Sequence, residues 1–205
     1  MPGRNLSKDY LPDSFYHIYN RGVNKAPIFL DDQDKVVFLA LLKRYLGDIT
    51  EKNIRNEDHP NYQSDIELLA FCLMRNHFHL FIYQMDDENA ITKFMRSLGT
   101  SYSMYFNKRY KRLGPLFQQR YKAIRITDDA QFIHISRYIH LNPKDYKNYE
   151  WSSYKYYQGQ KQADWVKPGK ILDLFNTKDE YQAFVDDYVD RKEELDILKD
   201  ELADY

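Results

Sequence analysis

The sequence predicts an α+β domain: four antiparallel strands and two helices in the order β-α-β-β-α-β, followed by an added helix and an acidic helical tail. Three observations predict it. Apolar runs of strand length lie at 15–22, 68–74, 77–83 and 121–126. Two stretches with apolar residues at helical spacing fall between them, one after the first run and one after the third. Finally, the two central runs are separated by only Arg75-Asn76, so they pair as a hairpin.

The first run, Phe15-Tyr-His-Ile-Tyr-Asn-Arg-Gly22, ends at a glycine. Asp31-Asp32 offers a helix cap, after which Val37, Phe38, Leu41, Leu42 and Tyr45 form one stripe. A polar loop with Pro60 leads into the run at 68–74, and the run carrying His77 and His79 follows. Asp86-Asp87 is expected to open a long helix reaching about Arg109, with Ile91, Phe94, Met95, Leu98, Tyr102 and Tyr105 on its stripe. Gly114-Pro115 marks a loop before the fourth strand. This order is that of the ferredoxin-like split βαβ arrangement, whose two helices cover one sheet face. The added helix starts after Thr127-Asp128, with Gln131 three residues beyond Asp128, and stops near Asn142 because Pro143 disfavours helix in the residue before it. Its natural place is the uncovered sheet face. Beyond Leu172, Phe184, Val185, Tyr188, Leu195 and Leu198 suggest one or two acidic amphipathic helices. The chain is expected to divide into a main domain, 1–155, and a C-terminal extension, 156–205.

Composition narrows the function classes. At 205 residues the chain holds one sizeable core, and no apolar stretch is long enough to span a membrane or form a signal-peptide core. A single cysteine, Cys72, excludes a disulfide framework or a cysteine-rich zinc site, and a cytoplasmic location is expected. The net charge of −1 conceals a split. Residues 171–205 carry twelve Asp/Glu against four Lys/Arg, so the remainder carries +7. Between 91 and 126 there are nine basic residues and no acidic one, interleaved with aromatic rings. Cations for phosphates and rings for bases suit single-stranded nucleic acid, although some of those rings belong to the core. Lys108, Arg109, Lys111, Arg112, Arg120, Lys122 and Arg125 are the candidate nucleic-acid contacts.

His77 and His79 stand two apart on a strand and so project from one face, where a pair of imidazoles can grip a divalent ion. Tyr138 and Asn142, spaced i,i+4, share one face of the added helix. Docked over the histidine pair, that face would surround an ion with two imidazoles and an amide oxygen, with a phenol beside it as nucleophile. Taken singly, Tyr138 reads as core and Asn142 as a helix-end cap. A ligand set of nitrogen and oxygen without thiolate suits Mg²⁺ or Mn²⁺. His17 reads as a satisfied strand histidine or a group behind the ligands. His134 lies four residues before Tyr138 as a candidate proton-transfer partner, and His140 points elsewhere.

The chain resembles the REP-associated tyrosine transposases, the single-tyrosine branch of the His-hydrophobe-His endonuclease superfamily. The resemblance rests on Tyr16-His17-Ile18-Tyr19-Asn20-Arg21-Gly22, Leu73-Met74-Arg75-Asn76-His77-Phe78-His79-Leu80 and Tyr105-Phe106-Asn107. It continues in Gly114-Pro115-Leu116-Phe117-Gln118-Gln119-Arg120-Tyr121-Lys122, Arg137-Tyr138-Ile139-His140-Leu141-Asn142-Pro143 and Trp151-Ser152-Ser153-Tyr154. It implies His77 and His79 as metal ligands, Asn142 as a polar third ligand and Tyr138 as nucleophile. It further implies cleavage of single-stranded DNA near a hairpin through a 5′-phosphotyrosine, followed by rejoining, in a nucleoid-associated setting; monomer and homodimer both stay open. Arg75, Phe117 and Lys144-Asp145 depart from the family pattern at positions that bear on substrate choice. A non-catalytic ferredoxin-like module that binds single-stranded nucleic acid is the alternative, as is a phosphoesterase with water as nucleophile.

Overall fold

The computed structural model describes residues 10–48, 52 and 55–188. Strands β1 (Ser14–Arg21), β2 (Ile66–Met74), β3 (His77–Gln84) and β4 (Lys122–Ile126) form one sheet in the order β2-β3-β1-β4. Every neighbouring pair is antiparallel. Helices α1 (Asp32–Leu46) and α2 (Ala90–Arg109) connect the strands, which is the βαββαβ arrangement expected from the sequence.

Alternation along the strands sends side chains into two cores. Tyr16, Ile18, Leu73, Phe78, Leu80 and Ile82 pack beneath Phe38, Leu42, Phe94, Leu98 and Tyr102 of α1 and α2. Leu69, Cys72, Phe81 and Ile126 face the other way, against Ile135, Tyr138 and Ile139 of α3 (Asp129–His140). The added helix thus lies on the second sheet face. A register shift between Leu68 and Ala70 puts Leu69 and Ala70 on the same face. Strict alternation does not foresee this bulge, because β2 is apolar on both sides and hydrophobicity alone leaves its register open.

Caps set the helix starts. The Asp31 side chain accepts from the Asp34 amide and that of Asp128 from the Gln131 amide. Helix α2 begins at Ala90, later than Asp86-Asp87 suggested. The Asp87 carboxylate is taken by the Asn89 amide and Lys93 Nζ, and the buried Gln84 side chain of β3 accepts from the Ile91 amide instead.

Residues 151–153 run along the outer edge of β2: the Leu73 amide donates to Trp151 O and the Ser153 amide to Phe71 O. The exposed row of backbone groups on that edge is thereby covered. The short helices α4 (Tyr154–Tyr157) and α5 (Gly169–Leu172) lead to α6 (Lys178–Asp186), whose Tyr181 and Val185 join the core around α3. Phe184 and Tyr188 pack there too. Leu195 and Leu198 lie outside the described residues.

Candidate active site

The β1–β3 register puts Arg21 opposite His77 and Tyr19 opposite His79. Parity then places His17, Tyr19 and Arg21 on the same face as both β3 histidines. The His77 and His79 rings stand 5.0 Å apart between centroids. The Tyr138 ring of α3 meets His79 edge-on at 5.5 Å and His17 at 5.8 Å. The Asn142 side chain lies close enough to His77, His79 and Tyr138 to perturb all three, and its Nδ2 donates to Tyr138 O. All four residues singled out by spacing therefore meet in one place, within one chain.

Local structure explains the positioning. Asn142 lies just past the last turn of α3, where its amide caps Tyr138 O while its oxygen remains for the site. The tight Arg75-Asn76 turn is anchored from the 22–29 segment: the Gly22 amide donates to Asn76 O and the Ile28 amide to Arg75 O. Gly22 is needed for the close approach, since a Cβ there would stand 2.1 Å from Ala26 O.

The same anchoring determines a proton position. Asn76 Nδ2 donates to Lys25 O, so its Oδ1 is the atom 2.7 Å from His77 Nδ1. His77 must carry its proton on Nδ1, leaving an Nε2 lone pair. Behind the other ligand candidate, His17 Nε2 lies 2.9 Å from His79 Nδ1. Burial holds both site histidines neutral: His77 is lowered to about 4, helped by the positive Arg21, and His79 falls well below the usual range for the same reason. Burial raises the Tyr138 phenol to about 12, while Asn142 and Arg21 pull it down.

Among the described residues no three His, Cys, Asp or Glu side chains group to hold a metal. The third donor on offer is the Asn142 amide oxygen. Two neutral imidazoles and a carbonyl oxygen, with a proton locked on the far side of one ring, fit a divalent cation that retains open positions.

A profile of the family described as "Transposase IS200 like" matches residues 39–142, half of the chain, and that span includes all four of these residues. The chain belongs to the IS200-like transposase family. This transposase also shares its fold with a solved structure described as a REP-associated tyrosine transposase bound to a REP hairpin. Identity is 15%, with 82% of this chain and 92% of that one covered at a TM-score of 0.54. A putative transposase from Deinococcus radiodurans R1 aligns at 16% identity over 68% of this chain and 95% of its own, with a TM-score of 0.41. No curated protein sequence matches the chain. Among the described residues, no helix of the transposase is long and apolar enough to cross a membrane.

The basic candidates separate by environment. Arg109 forks onto Asp31 and the fully buried Asp34, tying the end of α2 to the start of α1. Arg112 reaches Asn107 and lies over the Phe106 ring. Lys122 lies over Tyr19, beside the histidines. Lys108, Lys111, Arg120 and Arg125 are exposed. His134 turns away from the site: its Nδ1 accepts from Arg137, and its ring stacks on Phe184 of α6. His140 is buried between Tyr181 and Ser153. Sequence reasoning missed Arg21 as a site residue. Its i,i+2,i+4 parity with Tyr19 and His17 on β1 was the available signal.

Proposed function

We propose that this transposase is a metal-dependent, single-strand DNA endonuclease that cleaves and rejoins DNA near hairpins through a 5′-phosphotyrosine. The observation that carries the reading is the convergence of Tyr138, on a helix outside the ferredoxin-like core, onto His77, His79 and Asn142 of the same chain. The REP hairpin in the solved relative of similar fold supports hairpin DNA as the partner.

His77, His79 and Asn142 would hold Mg²⁺ or Mn²⁺. When bound, the ion supplies charge that polarises the scissile phosphate and favours phenolate. Tyr138 Oη attacks the phosphorus, the P–O3′ bond breaks, and the 5′-phosphate stays on the tyrosine. The phenol loses one proton and the departing 3′-oxygen gains one, so the exchange is proton-neutral. Rejoining reverses it: a 3′-hydroxyl attacks the phosphotyrosine and the phenol leaves, without ATP, because the linkage keeps its bond energy. Arg21, close enough to act on His77, His79 and Tyr138, adds positive charge where the phosphate would sit. Tyr138 stands over the histidines of its own chain, which supports a site complete in one copy.

Denaturing gels with labelled single-stranded hairpin DNAs in Mg²⁺, Mn²⁺ or EDTA test the reading. A covalent adduct that requires metal and disappears in Tyr138→Phe is expected. Cleavage without an adduct, equal in both proteins, would instead assign the nucleophile to water. Hairpin binding without cleavage under any ion would leave a binding module.

A further inference from the structure

A groove of about 760 Å³ lies on the opposite side of the sheet end, between α2 and the 117–121 segment. We propose that it holds an unpaired stretch of the DNA strand that runs to the active site. The proposal deepens the single-strand reading above and rests on it.

The residues that matter are Arg96, Met104, Lys108, Phe117, Arg120 and Tyr121. The chain as a whole has 31 acidic and 30 basic residues, yet not one residue lining this groove is acidic. Arg96, Lys108 and Arg120 are exposed. Unlike Arg109, none of the three has a carboxylate partner among the described residues. Three uncommitted cations around one concavity suit a phosphate backbone.

The apolar part of the lining suits bases. Phe117 and Tyr121 are half-buried, and Met104 is 68% exposed, which is unusual for so apolar a side chain. At the floor, Gly99 has nothing within 4 Å of the position its Cβ would take, so the space is open down to the α2 backbone. Rings set inside a groove meet the flat faces of unstacked bases, which a duplex keeps covered.

Position connects the groove to the chemistry. Asn20 lines it, and Asn20 Nδ2 donates to Gln119 O, joining β1 to the groove wall. The neighbours Tyr19 and Arg21 point to the opposite face, beside His79 and His77. The groove and the histidine face thus lie on the two sides of the same end of β1.

Fluorescence anisotropy with labelled oligothymidylate across a salt series tests this, in parallel with the hairpin adduct assay. Gly99→Leu fills the floor and is expected to weaken binding by about tenfold or more. Thermal melting should show no loss of folding, since leucine is the better helix former. The Lys108→Ser/Arg120→Ser double variant should reduce the slope of log affinity against log salt by about 0.7 for each charge removed. Lys43→Ser, on α1 outside the groove, should match the wild type. Equal binding by wild type and all groove variants, or no binding by wild type, would overturn the groove. Adducts would still form in that case if the tyrosine chemistry is right. Loss of binding in the groove variants without any adduct in the wild type would keep the groove and overturn the chemistry.

Discussion

His17 Nε2 stands 2.9 Å from His79 Nδ1, with the two rings stacked and His17 fully buried. If His79 presents a lone pair from Nε2, its proton sits on Nδ1 and His17 Nε2 accepts it. The remaining His17 nitrogen, Nδ1, is buried with no partner among the described residues. In that case His17 acts through His79, fixing its tautomer and ring orientation.

That arrangement predicts a metal phenotype for a residue that would not itself hold the ion. His17→Phe keeps a ring but removes the acceptor, and should weaken Mn²⁺ binding by about 10- to 100-fold, read by calorimetric titration. His17→Gln restores an amide oxygen as acceptor and should recover part of the affinity. Equal Mn²⁺ affinities in wild type and both variants would show that His17 is only packing.

Burial of Tyr138 predicts a pH profile. The phenol is displaced upward to about 12, so the reactive phenolate is scarce at neutral pH and its fraction rises as pH rises. Single-turnover adduct formation should therefore increase by about tenfold per pH unit from pH 6.5 upward, until ionisation in the metal-bound complex levels it. A rate independent of pH over that range would mean that proton loss from Tyr138 does not limit the step.

A directed hydrogen-bond chain fastens α3 from behind. The Phe71 amide donates to Ser153 Oγ, whose hydroxyl lies 2.7 Å from His140 Nε2. His140 Nδ1 lies 2.7 Å from Tyr181 Oη, and Tyr181 donates on to Ser136 Oγ, which bonds Ile133 O. Tyr181→Phe leaves the His140 Nδ1 proton buried without an acceptor, and should destabilise the protein by about 1–3 kcal/mol in urea unfolding. Wild-type stability in that variant would show that the chain carries no net free energy.

The same histidine makes the fold sensitive to acid. Burial lowers His140 to about 3, so the unfolded chain takes up a proton first as pH falls below about 6.5. Its contribution is intact above pH 6.5 and is lost progressively toward pH 3, at about 1 kcal/mol between pH 6.5 and 5.5. His17, also lowered to about 3 by burial, adds to the loss with the same sign, as do His77, lowered to about 4, and His79. Urea midpoints of metal-free protein at the two pH values measure the sum, and an unchanged midpoint would contradict it.

Much of this molecule is legible in its sequence because the signals are local. Strand length, helical spacing and the two-residue Arg75-Asn76 turn specify the βαββαβ order, and side-chain parity places His77 and His79 together. The i,i+4 spacing of Tyr138 and Asn142 puts them on one face of α3 in the same way. What the local pattern cannot encode is which surfaces meet. That α3 lies over its own histidines depends on long-range burial of Ile135, Tyr138 and Ile139 against β2 and β3, and on the Arg137 guanidinium packed on Phe184 and Tyr188. The β2 bulge, the His17–His79 contact and the commitment of Arg109 to Asp34 also join residues far apart in the chain. The periodicity of one segment reports only its own faces. The proton positions and free charges that make a site arise when those faces pack.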